Sequence, residues 1–338
     1  MTAPRGDQLA DLCGDHLGDH TGNAVGVDIG GTKIAAGVVD RRGVILAHTR
    51  RDTPASHPDA IADAVADAIA ELAATHDFGP VGVAAAGFVD AARSSVVFAP
   101  NLAWRDEPLA VHLRTRVQRR VVVENDANAA AWAEYRFGGG LNADGRPVDD
   151  LVMLTLGTGL GGGIVSGGRL QRGSNGAAAE LGHVRAVPGG RECGCGNSGC
   201  WEQYVSGNAL VRDARDLLRS GDESARPLLA ALDGDADAVD GPTITRLAEA
   251  GDPGCAQLIA DVGCWLGEAV ASFVAMLDPE IVVIGGGLSS AGELLLAPAR
   301  ASLAQNLPGR SHRRPPPLQI ATRGNDAGII GAADLARV

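Results

Sequence analysis

Alternating strands and helices, with two strand–glycine turn–strand units in separate halves, predict an α/β protein with a duplicated nucleotide-binding core. The first unit is residues 24–40, AVGVDIGGTKIAAGVVD, where small and β-branched residues flank a Gly-Gly turn. The second is residues 151–164, LVMLTLGTGLGGGI, with the same layout. A third glycine run, Gly285 to Gly287, follows an apolar stretch at 280–284 that reads as a buried strand.

The elements between these marks follow from periodicity. A strand is expected at 44–49. A helix is expected at 58–76, where Ile61, Val65, Ile69 and Leu72 recur at helical spacing. Residues 80–86 and 120–123 read as buried strands, and the Ala-rich stretch 126–137 as a helix with Asp126 at its start. A long apolar helix spans 256–277, where Cys255 and Cys264 read as packing thiols. Another helix follows Gly287, and a closing helix begins near Asn325. The polar loop 141–150, entered through Gly138, Gly139 and Gly140, suits a junction between lobes.

Composition narrows the function. Of 338 residues, 45% are hydrophobic, enough for a sizeable core. The net charge of −12 argues against nucleic acid as a partner, since phosphate backbones require clustered Lys and Arg. The basic run 310–314 (RSHRR) ends in a proline triplet and reads as a solvated loop. No stretch reads as membrane-spanning, because Gly or charges interrupt the apolar segments. Residues 1–23 lack the basic and apolar regions of a secretory signal and read as a polar, flexible extension. The expected compartment is the reducing cytoplasm, where clustered cysteines suggest metal before disulfides.

Glycine turns let backbone N–H groups approach an anion, and successive N–H groups form a nest for phosphate oxygens. Asp28, Gly30, Gly31, Thr32 and Lys33 add a carboxylate, a hydroxyl and an ammonium to one such turn, and Gly157, Thr158 and Gly159 begin another. Neither is a Walker A motif or a G-x-G-x-x-G turn, and each alone serves equally as a tight hairpin. Their combination with Gly286 and Gly287 favours phosphate. Asp126 likewise reads two ways, as a helix N-cap or as a carboxylate able to accept a hydroxyl proton.

Taken in order, DIGGTK (28–33), ENDANAAA (124–131), GTGLGGG (157–163), ELGH (180–183), CGCGNSGCWE (193–202) and VIGGG (283–287) resemble the ROK family of bacterial sugar kinases and repressors. AAAGFVD (84–90) and FAPNLAWRDEPL (98–109) are similar to its actinobacterial glucokinase branch. The resemblance implies a duplicated two-lobe ATPase of the actin-like, hexokinase-type (ribonuclease H-like) fold. The small lobe would be 24–135, completed by a C-terminal helix at about 324–338, and the large lobe 136–323.

The resemblance also implies ATP- and Mg2+-dependent phosphorylation of glucose by a homodimer or homotetramer, with Asp126 as base. Sugar contacts would be Asn101, Asn125, Glu180, His183 and Glu202. Asp28 would lie near Mg2+ and the transferred phosphate. Thr32, Thr158 and Gly159 would touch phosphate, and Gly286 and Gly287 the adenosine side. His183, Cys193, Cys195 and Cys200 offer one imidazole and three thiolates, the ligand set of a closed, structural Zn2+ site. Such a clip would hold Glu180 and Glu202 in register across a glycine-rich loop. With one ring nitrogen on zinc, His183 can turn the other to a sugar hydroxyl.

Family repressors carry a winged helix-turn-helix domain of several dozen residues ahead of the first strand, where this chain has about 23 polar ones. A kinase for another hexose or N-acetylhexosamine, or one using polyphosphate, shares the same hydroxyl-binding residues.

Overall fold

The structure is a computed structural model and describes residues 22–99, 102–141 and 146–338. The expected extension therefore lies outside the described residues up to position 21, as does Asn101.

The first half runs β1 (Ala24–Ile29), β2 (Lys33–Val39), β3 (Ile45–Asp52), α1 (Pro58–Ala73) and β4 (Val81–Ala85). A small antiparallel sheet follows, β5 (Phe88–Val89), β6 (Val96–Phe98) and β7 (Arg105–Glu107). Then come α2 (Leu109–Val117), β8 (Val121–Asn125) and α3 (Asp126–Phe137). The second half opens with β9 (Leu151–Leu156), β10 (Leu160–Ser166) and β11 (Arg169–Leu170). It continues through α4 (Gly207–Ser220), α5 (Arg226–Ala231), α6 (Gly241–Glu249) and α7 (Pro253–Leu277). It closes with β12 (Ile281–Gly285), α8 (Glu293–Asn306), β13 (Leu318–Ile320) and α9 (Ala327–Leu335).

Duplication is explicit in the sheets. The orders β3-β2-β1-β4-β8 and β11-β10-β9-β12-β13 correspond strand for strand. In each, an antiparallel meander is followed by two strands added in parallel. This is the repeated unit of the actin-like, hexokinase-type fold.

Side-chain size alternates along the first sheet with the strand period of two. Val25, Val27, Val81 and Val83 face a core shared with Ile61, Val65, Ile69 and Leu72 of α1 and Leu109 and Leu113 of α2. The opposite face carries Ala24, Gly26, Gly82 and Ala84, and α9 lies there. A Cβ on Gly26 would collide with the carbonyl of Ile329, and one on Gly82 with that of Ala332. The helix backbone thus rests directly on the sheet. Beside it, α3 packs Ala130, Ala131 and Ala133 into a core with Met153, Val165, Val283 and Ile330 from the second sheet and α9.

Two expectations need correction. By length and hydropathy α7 matches a membrane span, but 61% of that window is buried, and it is the central helix of the second core. Its cysteines also divide: Cys255 is buried, whereas Cys264 is exposed, because the helix presents one flank to solvent.

Gly82→Ala should destabilise the protein by about 1–3 kcal/mol, the usual scale for overpacking, since the obstacle is backbone. Thermal unfolding measures this, and an unchanged melting temperature would show that α9 is not seated on the strand.

Candidate active site

The carboxyl ends of the parallel strands in both sheets meet. Asp28 stands beside Ala84, and Ala84 and Ala85 pair with Glu124 and Asn125. Across from them, Thr155 of β9 pairs with Gly285 of β12. A cavity of about 270 Å3 lies between, lined among others by Asp28, Asp126, Thr155, Gly285, Gly286 and Asn325.

The chain turns from β8 straight into α3, and the cap is Asn125. Its Oδ1 accepts from Asn128 N at 2.9 Å, while its Nδ2 donates to Gly87 O at 3.1 Å. Asp126 is thus the first helical residue, with Oδ1 accepting from Ala127 N at 2.9 Å. Cap and candidate base fall on neighbours, so Asp126 is left to face the cavity. Glu124 braces this turn. It is 3% exposed and accepts from Asn125 N, from Asn128 Nδ2 at 3.2 Å and from Arg172 Nε at 2.7 Å.

Carboxylates accumulate here. Burial raises the Asp126 pKa, against the opposing pull of the Ala127 N–H. Burial, with the charge of Asp126, pushes Asp28 up to about 7. Burial, then Asp126 and Glu202, push Glu180 up to about 7. Glu180 directly precedes the 3-10 turn Leu181–His183. Glu202, in the turn Trp201–Gln203, accepts from Leu160 N at 3.1 Å and lies against Gly159.

The ligand atoms of His183, Cys193, Cys195 and Cys200 lie within 4.8 Å of one another. Cys193 Sγ is 3.7 Å from His183 Nδ1, and Cys195 Sγ is 3.7 Å from Cys200 Sγ. A tetrahedron with Zn–S bonds of about 2.3 Å has edges of about 3.8 Å. A disulfide would need about 2.05 Å. Burial, with Cys195 and Cys193 close by, pushes the Cys200 thiol up to about 12, a packing that a bound cation reverses. The donor set fits zinc. Because Nδ1 of His183 faces the thiols, Nε2 is left for another partner.

Of the expected nucleotide residues, Gly286 lines the cavity, while Gly30, Gly31, Thr32 and Lys33 form the β1–β2 turn. Thr53 braces that turn, its N–H donating to Thr32 O at 3.0 Å and its hydroxyl to Gly30 O at 2.8 Å. Gly157 O accepts from Gly207 N at 2.8 Å, which sets the Gly157–Thr158 turn against the start of α4. Gly157 and Gly287 have ordinary φ, and a Cβ on either would meet nothing within 4 Å. Neither backbone conformation nor packing requires glycine at these two positions.

Sequence reasoning missed Thr155, Thr53 and Arg172. Only Thr155 left a signal, as the one polar residue in an apolar strand, LVMLTL.

The ROK family model matches residues 24–338. Glucokinase from Streptomyces coelicolor is 48% identical over 313 residues, 93% of this chain and 97% of that protein. Glucokinase from Thermotoga maritima is 36% identical over 317 residues, 92% and 96% respectively. Among solved structures, a ROK family glucokinase from Streptomyces griseus in complex with glucose and AMPPNP aligns with a TM-score of 0.85 at 48% identity. The alignment covers 94% of this chain and 99% of that one.

Folding takes up a proton on Asp28 between its ordinary value near 4 and about 7, so this group's contribution to stability weakens as pH rises through that window. Asp28→Asn should therefore raise the melting temperature of ligand-free protein at about pH 8, with the gain fading toward about pH 4.5. Equal shifts at both pH values would refute a buried, repelled charge.

Proposed function

The chain belongs to the ROK family, and on that footing we propose that it is an ATP-dependent glucokinase. It transfers the γ-phosphoryl group of ATP to the 6-hydroxyl of glucose, giving glucose 6-phosphate and ADP. The observation that carries the chemistry is the placement of Asp126, freed from capping, on a cavity shared by both sheets. The choice of glucose is supported by the Streptomyces relatives.

On this reading the sugar hydroxyls donate to Glu180, Glu202 and Asn125, with His183 Nε2 completing the shelf. Charge-assisted bonds of this kind are the stronger ones. Asp126 accepts the proton of the 6-hydroxyl as its oxygen bonds to the γ-phosphorus and the bond to ADP breaks. Gly30, Gly31, Thr32, Lys33, Gly157, Thr158 and Gly159 face the phosphates, and Gly286 and Gly287 the adenosine. Asp28 would hold Mg2+, and the fit lies in its raised pKa, because a bound cation would offset the cost of burying its charge and the repulsion from Asp126. Bound there, the ion would supply positive charge against the phosphates. Zinc on His183, Cys193, Cys195 and Cys200 is structural, since four protein ligands leave no open position. The working enzyme is cytoplasmic, a homodimer or homotetramer, with lobes 24–135 plus 324–338 and 136–323 closing on the substrates.

A coupled ADP-release assay across hexoses and N-acetylhexosamines tests the substrate. Turnover with N-acetylmannosamine but not glucose would overturn it. Asp126→Asn should bind glucose yet lose about two to four orders of magnitude in turnover. Near-wild-type turnover would remove Asp126 from the chemistry.

The metal is tested separately. Protein purified without chelators should carry one zinc per chain. Cys195→Ser should keep its helical circular dichroism while raising the glucose KM by about tenfold or more. Full activity in zinc-free protein would sink the structural role.

A further inference from the structure

The chain passes between the two sheets twice, after α3 through Gly138, Gly139 and Gly140, and after β13 through residues 321–326. One side chain holds both passages. Glu134 of α3 is 0% exposed. Its Oε2 accepts from Gly139 N at 2.6 Å and from Thr322 Oγ1 at 3.2 Å, and its Oε1 accepts from Arg323 N at 2.6 Å. Its main-chain carbonyl accepts from Gly138 N at 3.0 Å and Gly140 N at 2.9 Å. A Cβ on Gly138 would collide with the Glu134 carboxylate. Arg323 returns the contact, its guanidinium donating to Phe137 O.

A buried carboxylate is a poor way to stabilise an interior, where apolar side chains of the same volume do as well or better. What it supplies is acceptor geometry. Both oxygens accept here, so an amide would have to turn its NH2 toward an N–H. Upstream on the same helix, Asp126 and Ala127 line the cavity, and the second passage runs directly into Gly324 and Asn325 on its wall. We propose that Glu134 is a positioning residue for phosphoryl transfer. It fixes the helix carrying Asp126 against the β13–α9 turn and so sets the separation between base and phosphate. This rests on the kinase reading above.

The test compares wild type, Glu134→Gln, Thr322→Val and the double variant. In Glu134→Gln, kcat with glucose should fall about 30- to 100-fold, the scale of an ångström-level misplacement. AMPPNP affinity measured without sugar should stay within about threefold, because the glycine turns proposed to hold the nucleotide follow β1, β9 and β12 and none is carried by α3. Thr322→Val alone should cost about three- to tenfold in kcat, and nothing further in the Gln background, since it acts through the same carboxylate. An unchanged kcat in Glu134→Gln, or kcat and nucleotide affinity falling by the same factor, overturns the proposal. If Glu134→Gln does not fold, an unchanged kcat in Thr322→Val overturns it instead. Wild type inactive on glucose would overturn the glucose assignment, and the same comparison then runs on the hexose it accepts.

Discussion

Everything at the site depends on a contact that contains almost no side chain: the backbone of α9 lying on Gly26 and Gly82 of the first sheet. Interiors are close-packed, so a few missing atoms there decide where a whole helix sits. The first turn of α9 places Gly328 against the Asp28 carboxylate. Its flank meets α3, where a Cβ on Gly331 would strike the carbonyl of Ala129. The other side of α3 rests on β10, with Ala131 against Gly163. Two helices thus space the sheets, and each begins at a cavity carboxylate. A side chain at Gly26 or Gly82 would lift α9 and draw Gly328 away from the Asp28 carboxylate.

The charges around that spacing are unevenly shared. Arg93 and Arg172 both reach Glu124, at 3.6 and 2.7 Å. Burial, together with the charge of Arg172, holds Arg93 down to about 10. Those cations are spent on the brace behind α3, and Asp28, Asp126 and Glu180 keep a net negative field in front of it. Such a field welcomes hydroxyl donors and divalent cations and repels a bare phosphate.

Much of this was legible in the sequence, and the reasons are local. Glycine turns between β-branched runs marked both hairpins, and α3 was bounded at Asp126 and Phe137 because its alanines are continuous. The four candidate metal ligands were legible because three are packed into CGCGNSGC. What escaped was set by distance along the chain. Glu134 looks like one more polar residue on a helix until Thr322 and Arg323 arrive from 188 and 189 residues away. Arg172 finds Glu124 across 48 residues, with no periodicity to announce it. The small sheet β5–β7 has strands of two or three residues, too short for alternation to register. From the residues alone Asp126 read as cap or base, and the resemblance favoured base; the coordinates place the cap on Asn125 instead.

The seating of α9 also orders events during synthesis. Arg93 donates to the carbonyl of Leu335, 242 residues later in the chain. At a translation rate of about 5–20 residues per second, that gap lasts about 12–50 s. Throughout it, the shallow face of Ala24, Gly26, Gly82 and Ala84 has no cover, while the α7–α8 core of the second half can already consolidate. The half that leaves the ribosome first is therefore finished last. A chain stopped before α9 keeps its glycine turns and its cysteine cluster but leaves that face of the first sheet bare.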